Sequence, residues 1–105
     1  MAEEIVLVIS TVPRNESERI ASAMVEERLV ACVNAAPVTS RFFWKGECCT
    51  EEEDLLIMKT RRGLATKVMA RLQAIHPYDV PEILVLPVLA GHGPYLEWVR
   101  RETVP

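Results

Sequence analysis

Between His76 and Glu82 the chain reads His-Pro-Tyr-Asp-Val-Pro-Glu, an imidazole, a phenol and two carboxylates set around two prolines. Proline fixes φ, so these side chains hang from a connection that has little freedom to lose on binding. A neutral imidazole suits borderline cations, and Glu82 or Asp79 would add an oxygen beside His76, which makes the segment a candidate site for a divalent ion or small ligand. The same residues also have a structural reading: His76 as an imidazolium capping a helix end, favoured by the helix dipole, with Glu82 hydrogen-bonded inside an assembly.

Cys48 and Cys49 are adjacent. Strand alternation turns such thiols to opposite faces and a vicinal disulfide is strained, but soft thiolates bind Cu(I), so both are candidate metal ligands. Cys32 lies in an apolar run and reads as a small buried hydrophobe. Lys59 closes an apolar strand, placed to neutralise an anionic ligand or Glu82, while Tyr78, Trp98 and Trp44 are aromatic candidates for lining a ligand cleft or an interface. The run Glu51-Glu52-Glu53-Asp54 reads as a solvated, self-repelling strand edge.

The elements that position these groups follow from periodicity. Ile5 to Thr11 is continuously apolar and β-branched, which predicts a central strand covered on both faces. Asn15 with Glu18 has capping-box spacing, and Ile20, Ala21, Met24, Val25 and Leu29 then share one helical face. Ala31 to Trp44 is a long strand in which Pro37 marks an edge, bulge or bend. Lys45-Gly46-Glu47 is a turn, and Cys48 to Thr60 returns as a second long strand. At about 3.3 Å per residue this second arm spans roughly 40 Å, against a radius of gyration of about 13 Å for a domain of this size. The hairpin must bend or overhang, and an overhanging Phe42-Phe43-Trp44 needs cover from other chains. A second helix carries Leu64, Val68, Leu72 and Ile75 and stops before Pro77; a strand over 82–89 and a short helix from Pro94 complete the chain. The order predicts an α+β, ferredoxin-like β-α-β-β-α-β fold with a C-terminal helix, a single domain over residues 1–105.

The 105 residues are half hydrophobic and carry a net charge of −3, enough core to fold without a metal or cofactor and no basic footprint for nucleic acid. Ile5 to Ile9 is too short for a membrane span or a signal-peptide core, and three cysteines form no disulfide framework, so a cytoplasmic chain with reduced thiols is expected. No glycine-rich phosphate cradle, nucleophile triad or His-Glu-x-x-His motif points to an enzyme.

Thr11-Val12-Pro13, Glu27 to Asn34, Ser40 to Gly46, Lys59-Thr60, His76 to Glu82, and Gly91 with Tyr95-Leu96-Glu97-Trp98 run nearly end to end in the order of one family, and the chain resembles the CutA divalent-cation tolerance proteins. The resemblance implies a ferredoxin-like homotrimer whose long hairpins reach across to neighbouring chains, and a role in the response to metal ions with weak binding of copper or a similar ion. It also implies an architecture like that of PII-type signalling proteins, hence the alternative of a sensor holding a small anionic effector between subunits, near Lys59, Tyr78 and Glu82. Copper-binding members place a cysteine just before the Thr-x-Pro segment and a second histidine beside His-Pro; Ser10 and Ile75 stand there, so only His76 carries over.

Overall fold

Four strands, β1 (Ile5–Pro13), β2 (Cys32–Trp44), β3 (Glu47–Arg61) and β4 (Leu84–Pro87), form one antiparallel sheet in the order β2-β3-β1-β4. The computed structural model describes residues 3–104. Helices α1 (Ser17–Glu26), α2 (Ala65–Ile75) and α3 (Gly93–Glu102) complete an α+β fold in the expected β-α-β-β-α-β order. Register sorts the side chains by parity: Val6, Val8, Ser10 and Val12 lie opposite Thr60, Met58, Leu56 and Asp54, on the face packed against α1 and α2. Ile20, Met24, Val68 and Leu72 supply the helix side of this core.

The opposite face is covered at one end by α3. Val99 and Ile5 are buried there, outside the main cluster; Arg100 Nε donates to the Glu3 carbonyl (2.7 Å) and Arg61 Nε to Thr103 Oγ1 (2.9 Å). The rest of that face stays open, with Leu84 and Leu86 of β4 exposed. This agrees with the expectation that two helices leave apolar sheet uncovered.

Several local expectations change. A single 3-10 turn (Arg14–Glu16) precedes α1, whose N-cap is Glu16 with no side-chain cap, so Asn15 and Glu18 form no capping box; Glu18 instead accepts from Ser22 Oγ (3.0 Å). Pro13 leads into that tighter turn and moves the helix cap one residue on, from Asn15 to Glu16. Val25 is 39 % exposed rather than core, because α1 stops one residue later. Arg28 takes the left-handed conformation (φ 59°) there, its N–H bonding the Val25 carbonyl (2.9 Å) and Leu29 N–H the Met24 carbonyl (3.2 Å), a Schellman close with arginine where glycine is usual. β4 spans four residues instead of eight.

The hairpin matches its prediction closely. Lys45 (φ 51°) and Gly46 (φ 81°) make a two-residue turn of the type that suits strand twist, closing on the pair Trp44–Glu47. Pro37 sits on the edge strand β2, where a missing ladder donor is tolerated. β1 leaves the sheet at the pair Pro13–Glu53, and from Thr39–Glu52 to Trp44–Glu47 the strands β2 and β3 pair only with each other. The molecule is accordingly elongated, 48 × 25 × 21 Å.

Ser10 Oγ is fully buried under the helices and lacks a hydrogen-bond partner. A stranded hydroxyl costs about 1–3 kcal/mol. Ser10→Ala should therefore raise unfolding free energy by about 1 kcal/mol, since the methyl leaves only a small void. Urea denaturation at fixed protein concentration checks this; a lowered midpoint contradicts it.

Candidate functional site

α2 ends because Pro77 disfavours helical backbone at the residue before it, and His76 turns extended (φ −75°, ψ 136°) after its N–H bonds the Leu72 carbonyl (2.8 Å). Its ring then lies along β1 just beyond the end of the β1–β4 ladder at Ile9–Leu84. Nε2–H donates to the Thr11 carbonyl (2.9 Å), and Nδ1 accepts from the Tyr78 N–H (3.1 Å). These partners set the neutral Nε2–H tautomer. The ring is buried, and it completes the sheet edge that β4 does not reach. One expectation changes with it: the ring bonds β1 and the Tyr78 N–H rather than the last carbonyls of α2, and both of its nitrogens are engaged within the chain.

Tyr78 stands beside that ring, centroids 4.9 Å apart, and its hydroxyl donates to Glu53 Oε2 (2.7 Å). Glu53 is only 3 % exposed, which corrects the reading of residues 51–54 as a uniformly solvated edge. Parity divides the run. Glu52 and Asp54 lie on the helix face and flank Arg14 (2.9 and 3.6 Å), whose Nε also donates to the Glu53 carbonyl (3.3 Å) and whose Nη2 donates to the Val38 carbonyl (3.4 Å). Glu51 and Glu53 lie on the other face, with Cys49 next in line. Burial first, then the Glu53 hydrogen bond and the charges of Glu53 and Glu51, push the Tyr78 hydroxyl well above the ordinary phenol range.

These residues border an open groove of about 900 Å³ between the ribbon's outer face and the 77–82 connection. Phe42 and Trp44 form one wall, Tyr78, Asp79, Val80 and Glu82 the other, and Glu51 and Glu53 lie between. Of the sequence candidates, the groove gathers Tyr78, Glu82, Trp44 and Cys49. Cys48 pairs with Phe43 on the opposite face, so the two thiols do not converge. Lys59 lies six residues from Glu53 on β3, about 20 Å along the strand, and its Nζ bonds Asn34 Oδ1 rather than Glu82. Trp98 packs on Tyr95 (centroids 5.7 Å) in α3, away from the groove; Tyr95 OH meets Cys32 Sγ at 3.4 Å. Within one chain, the candidates for an inter-subunit cleft thus lie in two regions. Among the described residues no three His, Cys, Asp or Glu side chains are placed to hold a metal ion. Glu53 is the residue that sequence reasoning missed; its signal was the shared parity with Leu55 and Ile57.

The family model for the CutA1 divalent ion tolerance protein matches residues 6–102. The chain is similar to the divalent-cation tolerance protein CutA of Thermus thermophilus, 48% identical over 103 residues that cover 96% of this chain and 98% of that one. With human protein CutA it shares 43% identity over 88 residues, 83% of this chain and 49% of the human protein, so it spans about half of that relative. Among solved structures, the PII-like protein CutA from Nostoc superposes with a TM-score of 0.91 at 39% identity, covering 94% of this chain and 97% of that one. CutA1 from Oryza sativa superposes with a TM-score of 0.94 at 38% identity, covering 97% and 95%.

Both tyrosines have raised pKa values: Tyr78 as above, and Tyr95, through its hydrogen bond to Cys32 and burial, up to about 12. The unfolded phenol ionises near 10, so this stabilisation is complete below pH 10 and is lost as pH rises beyond it. Tyrosinate absorbance should stay low at pH 10 in the native protein, and Glu53→Gln should bring one tyrosine part of the way down. Ordinary titration of both near pH 10 contradicts this.

Proposed function

We propose, from the premise that this chain belongs to the CutA1 divalent ion tolerance protein family, that it serves divalent-cation tolerance as a homotrimeric, PII-like binding protein. Its groove is the ligand site. One observation carries the reading: the wall of the groove is a two-stranded ribbon that extends beyond its own sheet, with Phe43 77 % exposed and Phe42 and Trp44 exposed beside it. An isolated two-stranded ribbon is marginal in water, and exposed aromatic area of this kind calls for cover. Neighbouring copies supply that cover, which sets the groove at a subunit junction.

The role is binding rather than turnover. His76, the imidazole nearest the groove, is engaged at both nitrogens in holding backbone, which leaves it no part as a general base. Among the described residues no helix is long and apolar enough to cross a membrane, and three free thiols, with Cys48 exposed, fit the reducing cytoplasm. Neither nucleic acid nor membrane is a partner in this reading.

A second reading makes copper or another divalent ion itself the ligand. It draws on Cys49, whose thiol borders the groove on the strand face that carries Glu51, a pair that a donor from a neighbouring copy would have to complete, since among the described residues no three such side chains are placed to hold a metal. His76 and Cys48 take no part in that version, one engaged and the other on the reverse face.

Native mass spectrometry of protein purified without added metal should report three copies, and Phe43→Asp should shift the population toward single chains. A clean monomer of the unaltered chain contradicts the reading. In copper(II) calorimetry His76→Ala should leave affinity unchanged and Cys49→Ser should weaken it; the reverse pattern restores the histidine as ligand.

A further inference from the structure

The groove's own charge and surface define what it takes. Glu51, Glu52, Glu53, Asp79 and Glu82 border it against one cation, Arg41. Arg41 and Glu52 both belong by register to the reverse face, where Arg41 Nε bonds Thr50 Oγ1 (3.3 Å) and Glu52 meets Arg14 (2.9 Å). Arg14, the other guanidinium at the hairpin base, is taken up by Glu52 and Asp54 and meets Glu53 only at its backbone carbonyl. Glu53 is therefore a buried carboxylate with no ion pair among the described residues, steadied on one oxygen by a neutral phenol. A buried charge in that condition is costly unless an opposite charge reaches it. Glu51, two residues along the same face, adds to the negative field.

The walls decide which cation fits. Phe42 and Trp44 stand on the ribbon face that carries Glu51 and Glu53, with Tyr78 across the groove, and all three rings are partly exposed. Aromatic faces attract alkylated ammonium groups by cation–π interaction, and carboxylates between them supply the counter-charge. A bare divalent ion asks for several convergent ligands, and the described residues hold no such set. An anion meets the carboxylates of Glu51, Glu53, Asp79 and Glu82. A volume of about 900 Å³ is ample for a small organic molecule.

We infer that this groove selects a small organic ammonium ion, in preference to a metal ion or an anionic effector. The inference rests on the reading of the groove as the ligand site and names its ligand class. The test follows the Trp44 indole N–H by proton–nitrogen NMR while spermidine and tetramethylammonium are added, against magnesium, copper(II) and ADP at matched ionic strength. Both ammonium probes should shift the Trp44 signal saturably, and Glu51→Gln, an exposed position that leaves the fold intact, should weaken spermidine binding about tenfold, as loss of one charge-assisted contact would. Response to the metals alone, to ADP alone or to no probe overturns the inference, as does unchanged affinity in Glu51→Gln. Native mass of the same samples separates the two levels: three copies without an ammonium response removes this inference alone, whereas a monomer removes the reading beneath it.

Discussion

β3 is fifteen residues long and its inner neighbour β1 is nine, and most of what distinguishes this molecule follows from that mismatch. Where β1 ends, at Pro13, the third strand of the sheet is lost, and β2 and β3 continue as a ribbon with both outer edges unpaired. A two-residue turn keeps the ribbon in register to its tip. Among the described residues no helix covers its tip, where residues 41–48 are all exposed, so its aromatic side chains have neither a core nor a second sheet to enter. The overhang makes the groove, exposes the apolar tip and gives the chain a reason to associate.

Electrostatics at the base of the ribbon depend on the same geometry. Four consecutive acids would repel one another on a flat strand, but alternation sends two to each face. Arg14, arriving from the turn after β1, meets Glu52 and Asp54 and also reaches the Val38 carbonyl on β2, so it ties both arms of the hairpin to the point where β1 leaves. On the other face Tyr78 closes over Glu53, and His76 positions Tyr78 by accepting its backbone N–H while completing the β1 edge. The histidine thus shapes the groove through backbone.

Much of this was legible in the residues. A strand apolar on both sides belonged in the middle of the sheet, and β1 is there; a Lys45-Gly46 turn between two long strand patterns announced the hairpin; arm length against domain size announced the overhang. What stayed hidden depends on where neighbouring strands stop. Nothing near Glu53 says that the 77–82 connection will fold across it, because that follows from β4 starting late at Leu84. The same late start turned His76 from a candidate ligand into an edge partner. The capping-box pattern at Asn15 lost to the tighter turn that Pro13 introduces. The resemblance to the family pointed to the same connection, and the placement of each side chain came from hydrogen-bond geometry.

The central claim is that a ribbon unsupported within one chain is held by others. Amide hydrogen exchange on the intact protein in solution tests it most directly, read over residues 39–44 and 47–52 against the paired centre of β1 and β3. Covered by neighbouring copies, the ribbon amides should exchange as slowly as those of the central strands. Exchange at the rate of exposed turns, with the central strands protected, would contradict the account.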